Sequence, residues 1–273
     1  MLANLAPSLI VELLTLGSLA GFLAGLLGIG GGLVLVPCLV LLLADQQVGV
    51  DVAVKVAIAT SMAVVLFTSA SSALAHHRRG AVRWSTVARL APGIVVGSAA
   101  ASLAAFAYAK GAVLALLFAG LVLVSSIHMF ADRPAVAHRR LPGTAGQAGA
   151  GAAIGFMSGL VGAGGGFVSV PWMTWHGVPM RHAVATSAAL ALPIAMVNVA
   201  GYIASGVHVP GLPAGSAGYV WVPAWIAIAV ASVAVAPLGV RAAHALPAAG
   251  LRKLFAGLLL ALSVYMAHKA LTA

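Results

Sequence analysis

The sequence predicts an all-α polytopic membrane protein with two inverted-topology repeats of about five hydrophobic segments each, and with broken or re-entrant helices at two glycine motifs. Composition carries the first part of this prediction, because hydrophobic residues make up 62% of the chain and charged residues 7%. Soluble domains carry about 25% charged residues, so this surface suits lipid rather than water. The apolar runs are continuous instead of alternating, which indicates helices and not a barrel.

A duplicated motif carries the second part. GFLAGLLGIGGGLVLVP, residues 21–37, returns as GFMSGLVGAGGGFVSVP, residues 155–171. Glycine costs a helix about 1 kcal/mol relative to alanine, so each GxGGG run predicts a break. In lipid, a broken helix is tolerated only where protein or a water-filled cavity covers the freed backbone groups. Matching breaks in two matching halves point to the binding site of a transporter.

Hydropathy, read against these breaks, divides the chain into ten apolar segments, five per half. They are 8–27, 33–44, 52–75, 84–107, 111–131, 146–163, 166–177, 181–204, 218–240 and 248–270. The second and the seventh are far shorter than the ~20 residues of a full span, so we expect half-helices or re-entrant pieces there. The two repeats are residues 1–131 and 148–273, joined by a cytoplasmic linker at 132–147.

The basic residues give the direction of the segments. Most Lys and Arg fall on one predicted side, which the positive-inside rule assigns to the cytoplasm. The third segment then ends inside, at Arg78, whereas its counterpart, the eighth, begins inside, at Arg181. The two halves are therefore predicted to be inverted relative to each other. Four tryptophans are typical of an interfacial belt: Trp172, Trp175, Trp221 and Trp225. For Trp172, which lies beside the second break, the alternative is a residue that lines the cavity.

A second duplicated element follows each break. Residues 55–61 read KVAIATS and residues 181–187 read RHAVATS. Their hydroxyl groups can bond the oxygen atoms of an anion or the carbonyl groups of their own helix, and both alternatives stay open. Asn198, which aligns with Ser72, is the only amide well inside an apolar segment. It is either a link between helices or a ligand contact.

The candidate substrate-binding residues are the glycines of the breaks with these polar side chains. They are Gly30, Gly31, Gly32, Thr60, Ser61, Gly164, Gly165, Gly166, Thr186, Ser187 and Asn198. A helix that resumes after glycines presents unpaired N–H groups and about half an elementary charge, which suits an anion. The alternative for a membrane glycine is close helix packing, which we favour for Gly21, Gly25, Gly155 and Gly159.

Three cationic or titratable residues next to the Thr-Ser pairs are candidates for a gate or for attracting an anion. They are Lys55, Arg181 and His182. The alternative for Lys55 and Arg181 is a flanking residue whose charged end reaches the interface. His182 is either a proton carrier or a passive interfacial residue.

The acidic residues bear on the substrate class. Only four are present, at or near segment ends: Glu12, Asp45, Asp51 and Asp132. Cation carriers and proton relays normally use carboxylates at depth, so an anion is the expected substrate. One Cys and scattered His predict no metal site, and we expect no cofactor and no catalytic residue. Positive-inside loops explain the net charge of +10, so no nucleic-acid partner is expected.

These motifs resemble a known family. The doubled GxxxGxxGxGGGxxxVP, each copy followed by Ala-Thr-Ser, resembles the sulfite exporter TauE/SafE family, also called 4-toluene sulfonate uptake permeases. Residues 237–262 resemble the last two helices of that family. The resemblance implies a multi-pass permease of the bacterial cytoplasmic (inner) membrane. Its substrates would be sulfur-containing or organic anions such as sulfite, sulfonates or sulfoacetate.

We therefore expect a secondary anion transporter that works by alternating access, and not an enzyme. The anion would be held at the half-helix ends near the membrane midplane. A passive channel, a non-transporting membrane scaffold and an intramembrane enzyme are the alternatives. The expected partners are the small anionic substrate and the lipid bilayer. The direction of transport, the coupling ion and the oligomeric state, a homodimer included, stay open.

Overall fold

In the computed structural model, the described residues are 7–27, 31–130, 141–245 and 248–271. Within these ranges the chain is almost entirely helical. The helices are α1 Pro7–Leu27, α2 Gly32–Asp45, α3 Val50–His77, α4 Trp84–Ala99, a π-helix Ala100–Ala105, α5 Phe106–Tyr108, α6 Gly111–Phe130, α7 Thr144–Val161, α8 Gly166–Trp175, α9 Met180–Gly206, α10 Val222–Ala245 and α11 Ala248–Leu271. Strands β1 Ser216–Ala217 and β2 Val220–Trp221 form an antiparallel hairpin before α10.

The all-α class is confirmed, and each predicted segment corresponds to helical structure. The largest deviation is at α10, which begins at Val222 instead of residue 218 because the hairpin occupies the intervening residues. The predicted linker 132–147 also ends earlier, since Gly143 has a non-helical conformation and α7 begins at Thr144. The remainder of that linker, up to residue 140, lies outside the described residues.

Five described helices are long and apolar enough to cross a membrane. They are Pro7–Leu26, Val50–His77, Trp84–Tyr108, Met180–Gly206 and Val222–Ala242. By contrast, α2 has 14 residues and α8 has 10. At 1.5 Å per residue they extend only about 21 Å and about 15 Å, which is less than the ~30 Å hydrocarbon core. Neither is long enough to span it alone.

Glycine faces bring two pairs of helices into close contact. α1 packs along α10, and α7 packs along α4. A Cβ atom on Gly21, Gly25 or Gly155 would lie less than 3.0 Å from backbone atoms of the facing helix. Small residues allow membrane helices to approach in this way. The packing interpretation is confirmed for these three glycines, whereas a Cβ on Gly159 would meet the side chains of Asn198 and Ala101.

α3 and α9 are the most buried of the five long helices, and they pack against each other in opposite directions. At one end, Arg181 at the start of α9 donates to the carbonyl oxygen of Arg79, just after α3, at 3.5 Å. At the other end, the hairpin beyond α9 contacts Thr60, in the first half of α3, through Trp221. The two helices that carry the Thr-Ser pairs are thus antiparallel.

The two ends of the bundle differ in charge. Arg79 Nη1 donates to Val240 O at 3.2 Å, so the last turns of α3 and α10 lie at the same end as Arg181. The opposite end contains Asp51, whose Oδ1 accepts from the Ala112 amide at 3.3 Å. This arrangement agrees with the charge asymmetry from which the direction of the segments is predicted.

Candidate functional site

The first glycine break separates α1 from α2. Gly31 is the N-cap of α2 and has a φ of 68°, in the left-handed region. A Cβ on Gly31 would lie 2.6 Å from the carbonyl oxygen of Ala20 in α1. Glycine is therefore required both by the backbone conformation and by the packing. Gly30 lies outside the described residues, whereas Gly32 begins α2 and is buried.

The second break repeats this geometry. Gly162 ends α7 with a φ of 72°, and Gly165 is the N-cap of α8 with a φ of 77°. A Cβ on Gly165 would lie 2.9 Å from Ser158 Oγ in α7. Gly164 and Gly166 are buried on either side of this N-cap. Both glycine runs therefore interrupt a helix at the position that the sequence predicts.

The two breaks contact each other inside the bundle. A Cβ atom on Gly32 would lie less than 3.0 Å from the Gly162 carbonyl oxygen and 3.1 Å from Ser61 Oγ. Ser61 Oγ is fully buried and donates to Gly162 O at 3.0 Å, with Gly32 O at 3.4 Å. This serine therefore links the first turn of α2 to the end of α7. The sequence places these segments in one site, and the structure brings them into direct contact.

Thr60 and Thr186 have equivalent partners in opposite halves. Thr60 Oγ1 accepts a hydrogen bond from the Trp221 amide at 3.0 Å, one residue before α10. Thr186 Oγ1 accepts one from the Arg83 amide at 3.1 Å, one residue before α4. Both threonines are fully buried. Each one therefore holds the segment that leads into the fourth helix of the other half, α10 for Thr60 and α4 for Thr186.

The second serine, Ser187, bonds within its own half. Ser169 Oγ, one turn into α8, donates to Ser187 Oγ at 2.8 Å, and both serines are buried. Ser169 lies five residues after Gly164, so the Thr-Ser pair of α9 is fixed to the helix that follows the second break. Each hydroxyl group of the two Thr-Ser pairs thus has a hydrogen-bond partner in another element of the fold.

Asn198 is fully buried on α9, beside the glycine face of α7. Its Nδ2 donates to Ile194 O, one turn earlier in the same helix, at 2.8 Å. Its Oδ1 has no hydrogen-bond partner. One turn further along α9, the Tyr202 hydroxyl donates to the Gly159 carbonyl oxygen. A buried amide oxygen without a partner is costly, so this atom is available to a ligand or to a neighbouring helix, and both alternatives for the side chain stay open.

Lys55 lies at the less basic end, away from the breaks. Its Nζ donates to Ala107 O at 3.2 Å. The same atom lies 5.4 Å from the Tyr219 ring centroid and 5.8 Å from that of Phe106, within cation–π range. Lys55 therefore ties α3 to the end of the α4–α5 segment and to the hairpin, and its position is peripheral to the glycine site.

Arg181 and His182 lie at the basic end. Arg181 Nη2 reaches the carbonyl oxygen of Arg79, and His182 Nδ1 lies 2.8 Å from the carbonyl oxygen of Ala81. Both side chains thus fasten the start of α9 to the loop 78–83. They close this end of the bundle rather than line the contact between the breaks.

The charged and metal-binding groups of the described chain avoid this site. Glu12, Asp45 and Asp51 lie near helix ends, and Asp132 lies outside the described residues. The described ranges contain no group of three or more His, Cys, Asp or Glu that could hold a metal ion. Among the described residues, the polar groups around the breaks are therefore backbone groups, hydroxyl groups and one amide, beside apolar side chains such as Val36 and Ile194.

The sequence of this helical bundle matches a known family. The sequence profile described as Sulfite exporter TauE/SafE matches residues 13–266. The chain belongs to the sulfite exporter TauE/SafE family. It is a multi-pass membrane transporter of that family, since the family match coincides with several apolar helices and with relatives that are named as transporters.

Three relatives carry such names. A probable membrane transporter protein of Haemophilus influenzae is 34% identical over 255 residues, covering 93% of this chain and 96% of that protein. The probable membrane transporter protein YunE of Bacillus subtilis is 33% identical over 215 residues, which cover 72% of this chain and 79% of that protein. The probable membrane transporter protein MJ0441 of Methanocaldococcus jannaschii is 26% identical over 234 residues, which cover 83% of this chain and 81% of that protein. No solved structure matches the chain.

Sequence reasoning missed three participants in the site of this TauE/SafE transporter. Arg83 and Ser169 supply partners to the Thr-Ser pairs. For Trp221, the prediction of an interfacial belt residue is wrong, because the side chain is only 2% exposed inside the bundle. In the structure Trp221 directly precedes α10, as its counterpart Arg83 directly precedes α4, whereas the predicted ninth segment already included Trp221.

Proposed function

We propose that this TauE/SafE transporter is a secondary carrier of small sulfur-containing or organic anions, of the sulfite, sulfonate or sulfoacetate type, in the bacterial inner membrane. The observation that carries the proposal is the direct contact of the two breaks at Gly32 and Gly162, joined by Ser61. Substrate would be held there, between half-helix ends near the membrane midplane.

An inverted-repeat architecture has three supports in the fold. α3 and α9, which carry the equivalent Thr-Ser pairs, run antiparallel. The first helix of each half packs on the fourth helix of the other, as α1 on α10 and α7 on α4. The threonine contacts are exchanged in the same way. Exchanged equivalent contacts are what a two-fold relation between the halves would produce.

Anion binding follows from the chemistry around the breaks. The first N–H groups of α2 and α8 have no partner within their own helix, and the helix dipole makes these ends positive. Ser61 can donate a hydrogen bond, and the carboxylates of the described chain lie elsewhere. Such a site stabilises a small anion without a buried cation. The sulfur-containing class is taken from the family's name.

Alternating access explains why the breaks touch. The contact between Gly32 and Gly162 leaves no room for a further atom at that point. Substrate would enter when one half rocks away from the other and opens one face at a time. A passive channel would need a continuous path through the same region, so carrier behaviour is the better interpretation of this closed contact.

The experiment is an uptake panel in proteoliposomes containing the purified protein. Sulfite, sulfonates, thiosulfate, sulfate and carboxylates are each offered with and without an imposed pH gradient, and empty liposomes are the control. We expect saturable uptake of at least one sulfur-containing anion, with accumulation against its gradient. Non-saturable, only downhill flux would indicate a channel. Absence of flux for every anion in the panel would reject the substrate class.

A further inference from the structure

Two connecting segments at opposite ends of the bundle each bury part of their length in it. One is the loop 78–83, where Ala81 is 0% exposed. The other is the hairpin 216–221, where Trp221 is 2% exposed. Connections normally lie on the surface of a protein. These two insert because they bond the buried hydroxyl groups of Thr186 and Thr60.

A cavity of about 490 Å³ lies directly outside the hairpin. It is open to the surface and is bounded by the turn between α2 and α3, with Gln46 and Gln47, and by the loop after α9, with Leu212 and Pro213. Trp221 forms part of its wall. Its volume suffices for a small anion with its hydration water. The described residues that line it are uncharged, and the glutamines offer amide donors.

A short chain of bonded groups connects this cavity to the breaks. The Trp221 amide donates to Thr60 Oγ1 at 3.0 Å. The next residue of α3, Ser61, donates to the Gly162 carbonyl oxygen at 3.0 Å. Trp221 therefore contacts both the open cavity and Thr60, which directly precedes the serine that joins the breaks.

We propose that this cavity is the vestibule for the substrate anion and that Trp221, held by Thr60, is the gate between the vestibule and the breaks. The gate rests on the proposed function, because it controls access to the same site. A large buried aromatic ring blocks the path, and the hydrogen bond from the Trp221 amide to Thr60 fixes the end of the hairpin that carries this ring. The other end of the hairpin stays fixed at Tyr219, whose amide donates to Tyr202 O at 3.3 Å. Loss of the Thr60 bond therefore loosens the end that carries the tryptophan.

The opposite end has an equivalent segment with different chemistry. There the Arg83 amide bonds Thr186, and the loop is also held by Arg181 and His182. Breaking the Thr186 bond is expected to loosen this end and not the hairpin. Variants of Thr60 and Thr186 are therefore matched controls for each other, because each should open only its own end of the bundle.

The test measures access to residue 61 with a reporter cysteine. Cys38, the single cysteine of the chain, is replaced by serine, and Ser61→Cys is introduced. The probe is a membrane-impermeant methanethiosulfonate that carries a sulfonate group, applied to one face of oriented vesicles. Labelling from the hairpin face is expected to be about tenfold faster in Trp221→Ala and about fivefold faster in Thr60→Val.

Two control variants separate gating from general loosening. Thr186→Val should leave labelling from the hairpin face unchanged and raise it from the basic face. Trp225→Ala removes another tryptophan of the same region, whose Nε1 bonds Ala63 O at 3.0 Å, and should leave the labelling rate unchanged. If Trp221→Ala does not yield folded protein, Thr60→Val decides the outcome, because valine has nearly the same shape as threonine.

Unchanged labelling from the hairpin face in Thr60→Val would overturn the gate, as would equal acceleration by Trp225→Ala. The labelling result is obtained separately from the proposed function, since labelling needs no transport. Gated labelling without anion flux would retain Trp221 as a barrier to the breaks, and would reject the anion carrier together with the role of the cavity as a substrate vestibule. Anion flux with ungated labelling would retain the carrier and reject the gate.

Discussion

Glycine serves two different purposes in two regions of this bundle. Along the pairs α1–α10 and α4–α7, glycines such as Gly21 and Gly93 lie in continuous helix and allow two backbones to touch. At the breaks, Gly31 and Gly165 have positive φ angles and each starts a new helix. The first group determines how tightly the helices assemble, and the second creates the ends that we assign to the substrate.

The largest expected effect is on folding, at the packed faces. A Cβ on Gly93 would lie less than 3.0 Å from backbone atoms of Ala148, which cannot move without separating α4 from α7. Gly93→Ala is expected to lower the midpoint of thermal unfolding in detergent by about 10 °C, or to prevent recovery of monodisperse protein.

Gly120→Ala is the matched control for that variant. Gly120 lies in α6, and a Cβ added there would have no atom of another helix within 4 Å. Alanine should therefore leave the midpoint unchanged or raise it slightly through its better helix propensity. A Gly93→Ala protein as stable as wild type would contradict the packing role.

The next effect is on transport, at the breaks. Leucine at Gly165 must adopt a left-handed backbone and meets Ile194 and Ser158, at 2.7 and 2.9 Å from the new Cβ. We expect Gly165→Leu and Gly31→Leu to reach the membrane in wild-type amounts but to lose about tenfold or more of the anion flux. Flux at the wild-type level in either variant would remove the glycine breaks from the proposed site.

A smaller effect is expected where a hydroxyl group joins the breaks. Ser61→Ala removes one donated hydrogen bond, directed to Gly162 O at 3.0 Å with the longer contact to Gly32 O at 3.4 Å, which is worth about 0.6–2 kcal/mol in a membrane protein. Flux should fall by about three- to tenfold. Ser72→Ala, on the same helix, is the control, because Ser72 Oγ is buried without a hydrogen-bond partner and its loss should not destabilise the protein.

The smallest effect distinguishes the two alternatives for Asn198. Its observed hydrogen bond lies within its own helix, so Asn198→Ala should change the unfolding midpoint by only about 2 °C. As a ligand contact, it should still lower the flux about threefold. A large loss of stability with normal flux per folded molecule would instead identify a structural link between helices.

The sequence predicts the linear features of this molecule well, because glycine costs and hydropathy act locally. Both breaks, the short α2 and α8, and the antiparallel course of α3 and α9 follow from motifs and charges. The π-helix at Ala100–Ala105 has no such signature, since its residues are ordinary helix formers. Composition also gives no sign of the contact between Gly32 and Gly162.

The sequence also does not predict which groups the buried polar side chains bond to. Thr60 and Trp221 are 161 residues apart, and their bond exists only after the two halves pack together. A tryptophan at the end of an apolar segment suits the interface and the interior equally well in a sequence. The structure therefore places Trp221 in the interior of the bundle and not at the membrane interface. It places Ser61 against Gly162, and Ser187 against the helix that follows the second break.

The central claim is that the two glycine breaks together bind a small anion. Its most direct test is equilibrium binding of sulfite and of a small sulfonate to purified wild-type, Gly165→Leu and Gly120→Ala proteins, each first checked for cooperative thermal unfolding. Saturable binding to wild type and Gly120→Ala, with none to folded Gly165→Leu, is the predicted result. Equal binding by all three proteins would contradict the claim.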